Sequence, residues 1–291
     1  MRTPTQFART ASPEALFAIA GISQYTGAVV AVNLFEEIRP ATAAWFRVMS
    51  AAALLVAVSW RQVRKPWTRA ELKSAALFGV ATAVMNLFFY LALDRLPLGK
   101  SVVIEFIGPI AVAAAFTRSM RNSAALVLAA GGVATLSGVE ISGNPWGIFF
   151  IFCASGMWAI YIMLGRKVAQ LDRGLSGLGL GLVLGSVVIM PFGVVGSGEV
   201  FTSGRLLLMC VVVGALSSAV GYGIDQVVMR RIPVRRFAVL LALLPVSAML
   251  LGFIALGQRP SVTDLLGAAL VIGGVLLQER DELPSIDEVP A

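Results

Sequence analysis

The chain has no histidine, only two cysteines in 291 residues, and about half the usual density of charge, with Asp, Glu, Lys and Arg together making up 13%. Without histidine there is neither an imidazole proton relay nor a His-ligated metal site. Cys153 and Cys210 both fall within apolar runs, where no disulfide framework is expected, so they give no redox compartment. The scarcity of charge excludes an ordinary soluble domain, in which about a quarter of residues are charged. No nucleophile-and-base pair, metal-ligand set or cofactor motif is visible, so the expectation is no enzyme and no cofactor. Acidic residues are the scarcer sign, 16 against 23 Lys and Arg, leaving a net charge of +7. Such an excess can mark a nucleic-acid binder, but no basic stripe with interleaved aromatics occurs and no nucleic-acid partner is expected. The cations sit instead in short loops between apolar segments.

What the chain has in abundance is apolar surface: 58% hydrophobic residues and a mean hydropathy of +0.86. A membrane span needs about 20 apolar residues at ~1.5 Å each. Ten segments qualify, at 13 to 35, 41 to 60, 71 to 94, 98 to 117, 121 to 139, 144 to 165, 174 to 195, 205 to 229, 236 to 256 and 261 to 278. Their loops alternate in charge. Arg61, Arg64, Lys65, Arg69 and Lys73 flank spans 2 and 3; Arg118 and Arg121 separate 4 and 5; Arg166, Lys167 and Arg173 separate 6 and 7; Arg230, Arg231, Arg235 and Arg236 separate 8 and 9. The positive-inside rule makes those loops cytoplasmic and, with them, both termini. Arg2 and Arg9 before Pro13 resemble a signal-peptide flank, but the apolar run continues as a full span and no cleavage site follows. Residues 279–291, acidic and carrying Pro284 and Pro290, are expected to form a disordered cytoplasmic tail.

The chain is also written twice. Residues 76–109 align without a gap onto 212–245, pairing Arg95-Leu96-Pro97 with Arg231-Ile232-Pro233 and Pro109 with Pro245. Gly131-Gly132 answers Gly273-Gly274 once a short insertion is allowed. A unit with an odd number of spans re-enters the membrane upside down when repeated, which is the architecture of alternating-access carriers. The expected fold is therefore all-α and integral to the membrane: ten transmembrane helices as two inverted five-helix repeats, residues 1–139 and 144–278. Gly177, Gly181 and Gly185 recur every fourth residue in span 7, the spacing that lets helix backbones approach closely.

Ionisable groups at span depth are costly and are functional candidates by default. Arg47, Glu105 and Asp225 stand out. Arg47 and Glu105 each lie about seven residues into an inward-running span, roughly 10 Å below the surface. They can hold the two charges of a zwitterion, or form a permanent ion pair that only joins two helices. Asp225, near the inner end of span 8, can pair with Arg230 and Arg231 or carry a proton. With no histidine, Glu105 and Asp225 are the leading proton carriers, because burial disfavours the charged carboxylate. Glu14 and Glu279, at span ends, are expected to be solvated. Asn86 and Tyr90 share a face of span 3, Trp158 and Tyr161 share a face of span 6, and Tyr222 takes in the second copy the place of Asn86 in the first. These residues are candidates for substrate contact or for helix-to-helix hydrogen bonds. Pro109 and Pro245 remove mid-helix hydrogen bonds at equivalent places and are candidate hinges. Gly221-Tyr222-Gly223-Ile224-Asp225 does not match the Gly-x-Gly-Asp order of intramembrane aspartyl proteases.

These residues carry a family resemblance. The ten-span duplication resembles the EamA-type exporters of the drug/metabolite transporter superfamily. Asn86-Leu-Phe-Phe-Tyr90, Leu96-Pro-Leu-Gly99, Ile104-Glu105-Phe-Ile-Gly108-Pro109 and Trp158-Ala-Ile-Tyr161-Ile162, with Arg47, Tyr222 and the acidic Asp225, are similar to those bacterial inner-membrane members that export threonine and homoserine. The resemblance runs from span 2 to span 10. It implies proton-driven efflux of small amino acids or related metabolites from a bacterial cell, by a multi-pass inner-membrane protein with no ATP site. Two carboxylates of that group are replaced here, by Leu244 before Pro245 and by Gln258 after Gly257. Those departures leave uniport open, as the aromatic residues Phe89, Tyr90, Trp158 and Tyr161 leave open efflux of aromatic or amphipathic compounds. A receptor or scaffold is the non-transport alternative, and it has no need of Arg47 and Glu105 at membrane depth. The partners expected are a small-molecule substrate and the lipid bilayer, with homo-oligomerisation open. Reporter fusions after Arg64, Arg121, Lys167 and Arg235 should report cytoplasm, and fusions near Glu37, Gly143 and Ser197 the outside; two reversed positions break the ten-span topology.

Overall fold

A computed structural model describes residues 11–96, 101, 104–137, 144–171, 173–247 and 261–277. Arg2, Arg9, Pro97, Gly99, Lys100, Gly257, Gln258 and the tail 279–291 lie outside them. The described residues are helical, with no strand among them. The helices are α1 (Pro13–Leu34), α2 (Pro40–Val58), α3 (Arg69–Leu93), α4 (Ile107–Ala115), α5 (Met120–Ser137), α6 (Pro145–Ala169), α7 (Leu175–Gly193), α8 (Gly204–Arg231), α9 (Val234–Leu240) and α10 (Val262–Leu277), with short turns of helix at Trp60–Val63 and Gly198–Thr202. Five of them, α2, α3, α6, α7 and α8, are long and apolar enough to cross a membrane. Of the other segments expected to span, 13 to 35 and 121 to 139 coincide with α1 and α5, 261 to 278 with the shorter α10, and 98 to 117 and 236 to 256 contain the short α4 and α9 beside a break.

Their starts are written locally. Thr68 and Glu71 form a reciprocal capping box at α3, and the Asn144 side chain accepts from the backbone N–H groups of Trp146 and Gly147 ahead of Pro145 at α6. Three interruptions depart from the continuous spans expected. The chain turns at Phe106, just before α4, and again at Leu241–Ala242, just after α9. The physical cause is the same in both: a proline has no N–H for the carbonyl four residues back, which is that of Glu105 for Pro109 and of Leu241 for Pro245. The break therefore falls ahead of each proline rather than at it. The third interruption is a π-helical stretch in α8, Gly214–Val220, flanked by α-helix on both sides.

The helices pack in related pairs. α2 lies on α7, α4 on α9 and α5 on α10, while α3 with α6 is matched by α8 with α1, and α3 with α7 by α8 with α2. Small residues make the closest crossings. A Cβ on Gly181 would overlap the Ala75 carbonyl of α3, and one on Gly185 would overlap that of Gly79; Gly177, on the same stripe, faces Val168 instead. Charged loop residues fasten the helix ends. Arg173 pairs with Glu71 at 2.9 Å and lies over the Trp67 ring, Arg236 pairs with Glu14 at 2.7 Å, and Arg231 donates to the Ala11 carbonyl at 2.6 Å. Glu14 is thus an ion-pair partner and not the freely solvated carboxylate expected. At the α2 and α8 ends Arg205 pairs with Glu37.

The Gly181 crossing meets backbone, which cannot swing aside. Gly181→Val should lower stability by about 1–3 kcal/mol, read as a lower thermal midpoint in detergent. Gly131→Val, where a Cβ meets nothing within 4 Å, should leave the midpoint unchanged; equal midpoints for both variants would contradict the crossing.

Candidate substrate cavity

One cavity, open to solvent, lies among α1, α2, α3, α6, α8 and the two broken segments. Its polar and charged lining consists of Gln24, Tyr25, Arg47, Asn86, Glu105, Tyr222 and Asp225; the rest is apolar, including Phe89, Phe106, Trp158, Leu241 and Leu244. The 136-residue shift read from the sequence pairs much of this lining with itself: Asn86 with Tyr222, Phe89 with Asp225, Glu105 with Leu241. The first pair is in contact, the Asn86 amide donating to the Tyr222 hydroxyl at 3.0 Å.

Arg47 is 7% exposed and is surrounded by acceptors. Its Nε donates to Ser218 Oγ at 2.8 Å; its terminal nitrogens reach the hydroxyls of Tyr90 and Tyr222 at 3.4 and 3.3 Å and the Ser217 carbonyl at 3.4 Å. Its guanidinium also lies 5.5 Å from the Tyr90 ring centre and 6.0 Å from that of Tyr222. Two of these partners, Ser217 and Ser218, belong to the π-helical stretch, which shifts backbone carbonyls out of the α register and so frees them for outside donors. The same stretch is tied to α1, where Ser23 Oγ donates to the Leu216 carbonyl at 2.8 Å and Ser217 Oγ donates to that of Gln24 at 3.2 Å.

The carboxylates behave differently from expectation. Arg47 and Glu105 line one cavity, as their matching depth implied, but no ion pair joins them among the described residues. Glu105 is 8% exposed and has no hydrogen-bond partner there. Asp225, 2% exposed, accepts from the Tyr161 hydroxyl at 2.7 Å through Oδ2 while Oδ1 has no partner. Pairing of Asp225 with Arg230 or Arg231 is therefore replaced by a tyrosine bond: the residue points across to α6, and Arg231 is engaged by Ala11. Tyr90 and Tyr161 stand behind the lining, bonded to Arg47 and Asp225; Trp158 reaches it and packs edge-on against Phe106 with ring centres 4.9 Å apart. Pro109 and Pro245 sit beside it through the breaks that bring Glu105 and Leu241 to the wall. Sequence reasoning overlooked Gln24, Tyr25 and the serines of the π stretch. The run Ser23-Gln24-Tyr25-Thr26 in the middle of an apolar span was the signal for the first two; no sequence rule marks the π register.

Comparison with known proteins fits this geometry. The profile of the EamA-like transporter family matches residues 145–278. Over nearly its whole length the chain is similar to the threonine/homoserine exporter RhtA, 28% identical across 95% of both chains for Salmonella typhimurium (strain SL1344) and 28% across 89% of this chain and 88% of the relative for Escherichia coli (strain K12). It is 24% identical to the transporter YyaM of Bacillus subtilis (strain 168), over 89% of this chain and 91% of that one. A solved crystal structure covering 91% of this chain and 95% of its own superposes with a TM-score of 0.70 at 18% identity, which establishes a shared helical fold. The matched region 145–278 contributes Trp158, Tyr222 and Asp225 to the cavity lining, with Tyr161 and the π stretch behind it, and the preceding region contributes Arg47, Asn86 and Glu105.

Replacing the Arg47 fork by an ammonium leaves several of these acceptors unpaired. Arg47→Lys should destabilise the protein by about 1–3 kcal/mol and Ser218→Ala by about 1 kcal/mol, measured as thermal midpoints in detergent. A lysine variant as stable as the unmodified protein would remove the network from the account of the fold.

Proposed function

We propose that the chain is a carrier that exports small amino acids or related metabolites across a bacterial inner membrane by alternating access. In this reading residues 1–139 and 144–278 are two inverted five-helix repeats, both termini are cytoplasmic, and the halves rock about the central cavity. The observation that carries it is the cavity itself: a chamber whose walls are supplied by equivalent positions of two halves, with Asn86 touching Tyr222 between them. The paired packing of the helices supports the duplication, and the breaks before Pro109 and Pro245 supply hinges at equivalent places beside the chamber. Arg47, Asn86, Glu105, Trp158 and Tyr222 form the solute site, with Tyr90 and Tyr161 fixing it from behind. Glu105 and Asp225, carboxylates on the cavity lining with oxygens that have no partner among the described residues, link the cycle to protons. The similarity to threonine/homoserine exporters supports a small polar solute. Phe89, Phe106, Trp158 and Tyr25 on the same wall favour, as a second reading, an aromatic or amphipathic one.

Counterflow in proteoliposomes against a panel of amino acids, with and without an imposed pH gradient, tests this. Saturable exchange is expected, lost in Glu105→Gln. Asp225→Asn should retain exchange at saturating solute but lose the response to the gradient. Indifference of the unmodified protein to the gradient would establish uniport, and absence of exchange for every solute would overturn the carrier.

A further inference from the structure

The charges of the cavity are unequally occupied. Of the five N–H donors of the Arg47 guanidinium, four are directed at protein acceptors, on Ser218, Ser217, Tyr90 and Tyr222. Glu105 has no partner among the described residues, and neither has Asp225 Oδ1, although both side chains are more than nine-tenths buried and both line the chamber. No second cationic side chain among the described residues lines it. With all three groups ionised the wall carries one positive and two negative charges, and the positive one is already engaged.

Resting on the carrier reading, we propose that this cavity grips its solute by an ammonium group, held by Glu105 and Asp225, that a solute carboxylate is dispensable, and that Arg47 is a positioning residue for the wall. An ammonium brings three N–H donors and no acceptor, which suits three free carboxylate oxygens, two on Glu105 and one on Asp225. Buried charges demand such partners, since an unpaired carboxylate in a dry site is costly. A carboxylate entering the same space meets two like charges and a guanidinium with little left to give. The aromatic faces of Trp158 and Tyr25 on the lining add attraction for a cation and none for an anion. The solutes best matched are amines and amino alcohols with a net positive charge, ahead of zwitterions of the same skeleton and well ahead of acids.

Three solutes of one skeleton separate the charges: threonine, 1-aminopropan-2-ol, which lacks the carboxylate, and 3-hydroxybutanoate, which lacks the ammonium. Titration of the purified full chain, followed by tryptophan fluorescence, should rank the amino alcohol at or above threonine and the hydroxy acid lowest. Glu105→Gln and Asp225→Asn should each weaken the amino alcohol about tenfold, the loss of one charge-assisted hydrogen bond. Arg47→Lys should weaken the amino alcohol and threonine in equal proportion, whereas a carboxylate clamp would lose threonine selectively. Tighter binding of the hydroxy acid than the amino alcohol, or a selective loss of threonine in Arg47→Lys, overturns the ammonium assignment and leaves the carrier intact. Counterflow of the three solutes by the unmodified protein is the accompanying control: no saturable exchange of these or of any amino acid overturns the carrier reading, and the assignment with it.

Discussion

A guanidinium buried in a membrane protein has to be satisfied on every side, and the centre of this structure is arranged around that requirement. Placing an arginine at the middle of a membrane helix costs about 2.5–3.5 kcal/mol on insertion scales, which a set of well-placed acceptors offsets. Arg47 on α2 finds them on α3 through Tyr90 and on α8 through Tyr222, Ser217 and Ser218. One side chain thus joins the two halves at the level of the cavity. The π-helical stretch of α8 supplies two of these partners, the Ser218 hydroxyl and the Ser217 carbonyl. Gly214 lets α8 approach that closely, for a Cβ there would meet the Arg47 carbonyl at 2.7 Å.

Around this joint the aligned stretches 76–109 and 212–245 differ in chemistry. Both break ahead of a proline and both present a side chain at the break, but one presents Glu105 and the other Leu241. At the next pair Asp225 answers Phe89, and at the contact between halves Tyr222 answers Asn86. Glu105 with Leu241 and Asp225 with Phe89 each set one acidic and one apolar side chain on the wall, while Asn86 with Tyr222 sets two polar ones there.

Much of this was legible in the residues, for physical reasons. Apolar length marks helices because the bilayer leaves backbone groups no other partner, and five of the expected spans are present as long apolar helices among the described residues. Charged and amide groups at span depth mark a cavity because lipid does not accept them, and Arg47, Asn86, Glu105, Trp158, Tyr222 and Asp225 all reach the same chamber. The proline breaks were legible in kind but displaced in position, because the missing hydrogen bond is felt at the carbonyl four residues back. The part played by α1 was less visible: Gln24 and Tyr25 lie in an apolar run, and only the fold turns them inward.

Partnership was the property the sequence left undecided. Depth along a helix follows from residue number and rise, so Arg47 and Glu105 could be placed at one level from the sequence alone. Which groups then bond depends on helix rotation and tilt, set by small-residue crossings such as Gly181 on Ala75 and by the local register of α8. Those rotations gave Arg47 to hydroxyls and a carbonyl, gave Asp225 to Tyr161, and left Glu105 in the wall with no partner among the described residues. The sequence by itself determined that polar groups would gather inside an apolar bundle, because their burial in lipid is too costly to be left unshared; only the tertiary structure decided who shares with whom, because a hydrogen bond depends on a few tenths of an ångström and on angle, and neither is written in the spacing of residues.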